Sequence, residues 1–319
     1  MSLNCMFDYH IHPDYSIDAD GSVLEYCQAA LDRGLSEICF TTHFDTEPEA
    51  YATDARVKAR GQLYAVDGAW LPLYFEDIDA AARTFGPRGL TVRAGIEIGY
   101  HPDVAQKYGA WLGRWPFDFV LGSVHRIGGL AVTIPADLEQ MYAAHGRTTT
   151  LVAYFNSLRD AANSGMFDCL GHIDVYRRTA HLDSESDLDD GPVYEAACEF
   201  LFAAARNGVG IEINARDGEY GAKYLCPGPA LLRLAVASGV RTFTIGSDSH
   251  GPEVIGVGGA VARRALLDAG VLDVATFSRR SPTYHRLSDR AADGAGMATP
   301  SGRKADGLAL GQVAGGQKE

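Results

Sequence analysis

Asp8-Tyr9-His10-Ile11-His12 closes the first apolar run of this chain, and Ile245-Gly246-Ser247-Asp248-Ser249-His250 closes the last. Alternate residues of an extended segment point the same way, so His10 and His12 can reach one ion, as can Asp248 and His250. One such pair is weak evidence. Its weight comes from the runs between, which end alike. His43 ends the second in Thr41-Thr42-His43, and Glu97 lies late in the third in Gly95-Ile96-Glu97-Ile98. His125 ends the fourth in Gly122-Ser123-Val124-His125, and His172 ends the fifth in Gly171-His172-Ile173-Asp174.

Seven short apolar runs serve as candidate strands: Cys5–His10, Glu37–Thr42, Thr91–Ile98, Phe117–Val124, Phe167–Ile173, Val209–Asn214 and Arg241–Ser247. Amphipathic stretches separate them, the pattern of β/α units with a parallel sheet. Ser22-Val23-Leu24-Glu25 is a capping-box start for a helix to about Arg33, with Gly34 as its stop. A long helix broken near Gly61 and Gly68 is expected within Asp54–Thr84. Further helices are expected over Thr148–Asn163, Pro192–Arg206 and Pro229–Ser238. One domain over residues 1–288 is expected. The Ala-, Gly- and Asp-rich residues 289–319 are expected to form a disordered or loosely attached tail.

In a parallel barrel all C-terminal strand ends open on one face, and sites are built there. Six of the ten histidines fall at such ends, with Glu97 and Asp248 among them. A single histidine so placed is ordinarily a hydrogen-bonded structural residue; the whole set is not explained that way. Imidazole mixed with carboxylate and no thiolate suits Zn, Mn or Fe better than Ca or Mg. The candidate ligands His10, His12, His43, Glu97, His125, His172, Asp248 and His250 are too many for one ion, so two or three divalent metal ions are expected.

Composition narrows the remaining classes. A chain of 319 residues, 46% hydrophobic, can bury a large core. No apolar run is long enough to span a membrane, and the start lacks the features of a secretory signal. Cys5, Cys27, Cys39, Cys169, Cys198 and Cys226 form no C-x-x-C pair and read as reduced core residues of a cytoplasmic protein. A net charge of −13 argues against nucleic acid or an anionic membrane as partner. It does not exclude an anionic substrate, because bound cations reverse the sign locally. Oligomeric state is not legible.

From about Asp8 to Gly256 these motifs resemble the PHP superfamily of polymerase and histidinol phosphatase domains, especially its stand-alone histidinol-phosphate phosphatases. The resemblance rests on Asp-Tyr-His-Ile-His, Gly-Ile-Glu-Ile-Gly, Gly-His-Ile-Asp, Ile211-Glu212-Ile213-Asn214 and the Gly246–His250 stretch, in the family's order. It implies a distorted (β/α)7 barrel with a trinuclear site at the C-terminal strand ends. His10, His12, Glu97 and Asp248 would hold a first ion, and Glu97 would bridge to a second held by His125 and His172. His43, His250 and Asp18 would hold the third. The family usually has an acid before the second-motif histidine; here Thr42 stands there, which puts the tuning of the third site in question.

The activity implied is hydrolysis of a small phosphorylated substrate, histidinol phosphate first, by in-line attack on phosphorus from a hydroxide between two ions. Arg177 and Arg216 would clamp phosphate; Arg178 reads as a surface arginine. Asp248 or His250 would relay the leaving-group proton. Three alternatives stay open: another phosphate ester such as a nucleotide or phosphotyrosyl peptide, an amidohydrolase-like C–N hydrolase, and a non-catalytic metal-stabilised domain. His101 reads as a loop residue with pocket lining as the alternative, and His145, His181 and His285 as surface or structural. The acidic run Asp183–Asp190 reads as a solvated loop, or as a mouth that attracts a cationic substrate. The apolar Trp70–Phe75 group reads as core.

Overall fold

All seven apolar runs are strands in a computed structural model of the chain, in which residues 6–47, 56–182 and 184–287 are described. They are β1 (Met6–Ile11), β2 (Leu35–Phe40), β3 (Thr91–Gly99), β4 (Phe119–Ser123), β5 (Cys169–Leu170), β6 (Gly210–Asn214) and β7 (Phe243–Gly246). Each pairs in parallel with the next, in sequence order. The two-residue strand His43–Phe44 pairs separately beside Glu97–Ile98. The sheet curls into a nearly closed, distorted (β/α)7 barrel.

The seam between β7 and β1 is the opening, and a side chain bridges it. Asp8 is buried, and its carboxylate accepts the backbone N–H groups of Ser247 at 2.9 Å and Gly256 at 2.8 Å. Just above, the His12 N–H donates to the Ser249 carbonyl at 2.9 Å. Burial raises the Asp8 carboxyl, and the backbone donors work against that. Asp8→Ala should strand both N–H groups in a dry seam and cost about 3 kcal/mol. Urea unfolding of the metal-free protein measures it; an unchanged midpoint would remove Asp8 from this role.

The opposite end of the barrel is plugged. Tyr9, Cys39, Phe119, Leu121 and Cys169 fill its interior against Ala275 and Phe277 of a terminal hairpin, β8 (Asp273–Ser278) and β9 (Ser281–Arg286). The Tyr9 hydroxyl donates to Glu37 at 2.5 Å and accepts the Phe277 N–H at 2.7 Å. Asp118 and Asp168, just before β4 and β5, accept from Arg279 and Arg280. Sequence periodicity missed this hairpin, whose second strand is mostly exposed. With that end closed, the C-terminal strand ends carry the chemistry.

Helices cover the outside. Helix α1 (Val23–Asp32) starts at the expected capping box, with Ser22 and Glu25 satisfying each other's backbone. Helices α5 (Arg147–Asn163), α7 (Gly191–Asn207) and α8 (Pro229–Ala237) lie where periodicity put them. Asp54–Thr84 needs correction. From residue 56 it is a hairpin, Arg56–Ala59 with Gln62–Ala65, and only then α2 (Leu71–Phe85). Arg60 and Gly61 both hold positive φ, 49° and 80°, so the supposed helix break is the hairpin's turn. Trp70, Leu71 and Tyr74 are core, as expected.

The short helices α3 (Val104–Leu112), α4 (Pro135–His145), α6 (Tyr176–Thr179) and α9 (Gly259–Asp268) were not foreseen. Among the described residues no helix is long and apolar enough to cross a membrane. The expected tail over 289–319 lies outside the described residues.

Candidate metal centre

Glu97 is the hub. It sits in β3 with no exposed surface, and imidazoles surround its carboxylate. Oε1 lies 3.5 Å from His10 Nε2, 3.4 Å from His125 Nε2 and 3.1 Å from His172 Nε2. Oε2 lies 3.6 Å from His12 Nε2 and 2.8 Å from His43 Nδ1. Asp248 Oδ1 faces the same group, 3.7 Å from His10 Nε2 and 3.5 Å from His12 Nε2. Asp18 stands at the rim, with Oδ2 3.2 Å from His250 Nε2 and 3.8 Å from His43 Nε2. The fold thus brings all nine expected side chains together.

Local backbone explains how. His172 and Asp248 both hold positive φ, 28° and 53°, which is strained for residues with a Cβ. Each turns out of its strand end and aims back over the barrel mouth. Ser123, the last residue of β4, donates to Glu97 Oε1 at 2.5 Å and fixes that carboxylate.

The donor set fits divalent cations. His10 Nε2, His12 Nε2, His43 Nδ1 and Glu97 Oε2 are buried without a hydrogen-bond partner, although each lies within 4 Å of another imidazole or carboxylate of the cluster. Even the 2.8 Å approach of His43 to Glu97 lacks hydrogen-bond geometry. Buried lone pairs aimed at a common point and left unpaired are costly. A shared cation removes that cost: ligands on a tetrahedral ion at ~2.0 Å lie roughly 3.3 Å apart, the spacing seen here. Among the described residues, three groups could each hold an ion by ligand-atom proximity: His10, His12 and Asp248; His10, Glu97 and His172; His12, His43 and His250.

Among the protein groups alone, electrostatics are strongly coupled. Burial would raise the Glu97 carboxyl, but His10, His43 and His125 hold it well below the usual carboxylate range. Burial opposes a proton on His10, yet Glu212, Glu97 and Asp248 raise it well above the imidazole range. Burial also opposes one on His43, which Glu97 nevertheless lifts to about 9. Burial pushes His12 the other way, well below, with His43 and His250 adding to it.

Four further side chains belong to the site. Glu212 Oε1 lies 2.5 Å from His10 Nδ1, and Asp45 Oδ1 lies 3.1 Å from His125 Nδ1. Asp45 also lies 4.0 Å from His43 Nδ1, which puts a carboxylate near that ring even though Thr42 occupies the position of the family's usual acid. The Thr42 hydroxyl is buried without a partner. Asn214 donates to Asp248 Oδ2 at 3.2 Å.

The fourth is Arg178, and here the expectation is corrected. It is no surface residue: it donates to Asp248 Oδ2 at 3.2 Å and to Asn214 Oδ1 at 2.6 Å, and pairs with Asp217 at 2.9 Å. Arg177, its neighbour, spends its guanidinium on Asp174 at 3.0 Å and on the Lys223 carbonyl at 2.8 Å. One helical step gives the two side chains different partners along the same cleft, which sequence could not reveal. Arg216 approaches Asp248 Oδ2 at 3.5 Å from a half-exposed position.

A cleft of about 1150 Å³ opens over the cluster, lined among others by Asp18, His43, His125, Arg178, Arg216 and His250. His181, expected at the surface, also lines it. His101 is buried, 3.1 Å from the Thr46 hydroxyl, and is not among the described lining residues. His285 bonds Thr276 in the terminal hairpin. The acidic run is no simple solvated loop: Asp187 pairs with Arg147, Glu185 caps the N-terminus of α8, and Asp190 accepts from Thr148.

A β/α barrel whose strand ends gather imidazoles and carboxylates around one buried glutamate defines a class of metal-site proteins. The PHP domain profile matches residues 8–216, and the chain belongs to the PHP domain family. A Deinococcus radiodurans protein named "Probable histidinol-phosphatase" is 33% identical over 86% of this chain and 96% of its own length. The histidinol-phosphatase of Lactococcus lactis is 26% identical over 85% of this chain and 94% of its own. A crystal structure of the histidinol phosphate phosphatase of that species, complexed with zinc, L-histidinol and phosphate, has the same fold. It superposes with a TM-score of 0.71 at 24% identity, covering 87% of this chain and 98% of that one.

Proposed function

We propose that this chain is a histidinol-phosphatase, a phosphoric monoester hydrolase that frees phosphate from histidinol phosphate with the help of two or three divalent cations. The observation that carries the reading is the convergence of nine imidazole and carboxylate side chains at one barrel mouth, in a chain one-third identical to the Deinococcus radiodurans relative. His10, His12, Glu97 and Asp248 would hold one ion, Glu97 with His125 and His172 a second, and His43, His250 and Asp18 a third; zinc suits this donor set. Cations so held lower the pKa of bound water, neutralise phosphoryl oxygens and stabilise the leaving alkoxide.

The chain's own groups do the rest. Arg216 reaches the cleft from a half-exposed position on the Asp248 side and offers a guanidinium fork to phosphate oxygens, while Arg178 lines the cleft beside it with each nitrogen on a protein partner. Arg177 lines the same cleft, with its guanidinium held by Asp174 and the Lys223 carbonyl. Burial would raise Asp248, but His10, His12 and Arg216 hold it well below the carboxylate range. Its Oδ2 is occupied by Arg178 and Asn214, and Oδ1 faces the cluster. Asp248 therefore stays ionised, with Oδ1 turned to the cluster where it would hold a cation and no proton on it to give the leaving group. The His250 Nδ1–H donates to the Asp248 carbonyl at 3.0 Å, which directs Nε2 at Asp18 and the third site.

A panel of phosphate monoesters assayed with Mn²⁺ or Zn²⁺ tests the reading. Histidinol phosphate should turn over fastest, with nucleoside monophosphates and phosphotyrosyl peptides at least ~100-fold behind in kcat/KM. Preference for one of those would transfer the chain to another substrate, and no phosphate release from any would sink the reading.

A further inference from the structure

We infer that Glu212 is the positioning residue that sets two metal subsites at once, by fixing the tautomer of His10 and the backbone of His172. This rests on the metal-centre reading above and goes beyond it, because Glu212 is not one of the nine ligands and faces no cation.

Glu212 lies mid-strand in β6 and is 1% exposed. An inward-facing carboxylate in a barrel needs a reason. Both of its oxygens are committed. Oε1 meets His10 Nδ1 at 2.5 Å, and Oε2 accepts the backbone N–H of His172 at 2.9 Å and the Asn214 amide at 3.3 Å. A proton on His10 Nδ1 that donates to Oε1 leaves Nε2 with its lone pair aimed at Glu97 and Asp248. The other tautomer would put a proton where the ion belongs and set two acceptors against each other at 2.5 Å. A carboxylate behind a ligating imidazole fixes ring orientation and raises the ligand's basicity.

The second oxygen acts on a different subsite. His172 holds a φ of 28°, a conformation a histidine adopts only when its surroundings enforce it. The Glu212 bond to the His172 N–H is one such constraint, and it sets where the imidazole leaves the chain. Two glycines mark how closely the groups fit. A Cβ on Gly246 would run into Glu212 Oε1 and the His10 Cβ, and one on Gly171 would lie 3.1 Å from Oε2. Gly246 at the end of β7 and Gly171 just after β5 therefore make room for Glu212 on both sides.

Glutamine cannot replace it. Glu212 accepts N–H groups on both of its oxygens, whereas an amide has one acceptor oxygen and must present its NH2 to His10 or to His172. Glu212→Gln is close in size, so the barrel should still fold. Glu212→Asp keeps the carboxylate but shortens its reach by one methylene, and covers the case in which the glutamine variant misfolds.

The experiment titrates Mn²⁺ alone into metal-stripped full-length protein by calorimetry and records the metal-free melting temperature. Wild type should bind two or three ions. Glu212→Gln should weaken the tightest binding step by ~10- to 100-fold with the metal-free melting temperature within a few degrees, and Glu212→Asp should fall between. Variants that bind Mn²⁺ as wild type does would overturn the inference while leaving the metal centre intact. So would affinity losses that only follow a collapse in metal-free stability. Wild type that binds no Mn²⁺ would overturn the inference together with the reading beneath it.

Discussion

Glu97→Gln is expected to lower kcat/KM for histidinol phosphate by ~10³-fold or more, about 4 kcal/mol of transition-state stabilisation. No other side chain in the cluster faces as many ligands: five imidazole nitrogens lie within 4 Å of its two oxygens. The substitution changes almost no volume but removes the charge and puts an amide N–H₂ where one oxygen stood. At either oxygen that group points at imidazole lone pairs meant for a cation, so the site loses an anion and gains a proton donor. Bound metal should fall with activity, from two or three ions per chain to one or none by elemental analysis. Circular dichroism should stay unchanged, since Ser123 can still donate to an amide oxygen. Near-normal turnover with full metal content would refute the bridging role. Normal metal content with lost turnover would move Glu97 from holding cations to handling protons.

Most of the barrel was legible because its strands are buried on both faces and read as short, near-continuous apolar runs. The ligand set was legible for a related reason: a polar residue at the end of an apolar run has nowhere to go but the mouth. Two kinds of residue escaped. The hairpin at Arg56–Ala65 has only four positions a side, and only the first, Arg56-Val57-Lys58-Ala59, alternates charged with apolar residues, too short to separate from a frayed helix. Asp45 and Arg178 carry no strand-end signature. Asp45 reaches His125 from a loop 80 residues earlier, and Arg178 differs from Arg177 only by its rotation about a four-residue helix. Glu212 was visible in its motif but not in its role, which depends on His10 and His172 arriving from two other strands. Contacts of that kind are set by closure of the barrel, not by local pattern.

Arg178→Met should lower kcat/KM by ~10²- to 10³-fold, about 3–4 kcal/mol, with much of the loss in kcat. Two effects combine. The first is loss of a guanidinium from the cleft beside Asp248, where phosphate would meet it. The second is release of Asp248, whose Oδ2 would keep only Asn214 at 3.2 Å and Arg216 at 3.5 Å. Removing one partner from a buried charge pair is costly because the remaining charge stays buried; Asp248 would be left with only the half-exposed Arg216, and the part-exposed Asp217 would lose its ion pair to Arg178. Arg178→Lys separates the two effects. Lysine keeps the positive charge, yet cannot contact Asp248, Asn214 and Asp217 through one planar fork, so it should recover part of KM and little of kcat. Arg177→Met offers the contrast: its guanidinium holds Asp174 and the Lys223 carbonyl, so it should lower thermal stability more than it changes kcat/KM measured well below the melting temperature. If Arg177→Met proves the more damaging to turnover at equal stability, the phosphate contact belongs to Arg177, and the loops that hold it must rearrange when substrate binds.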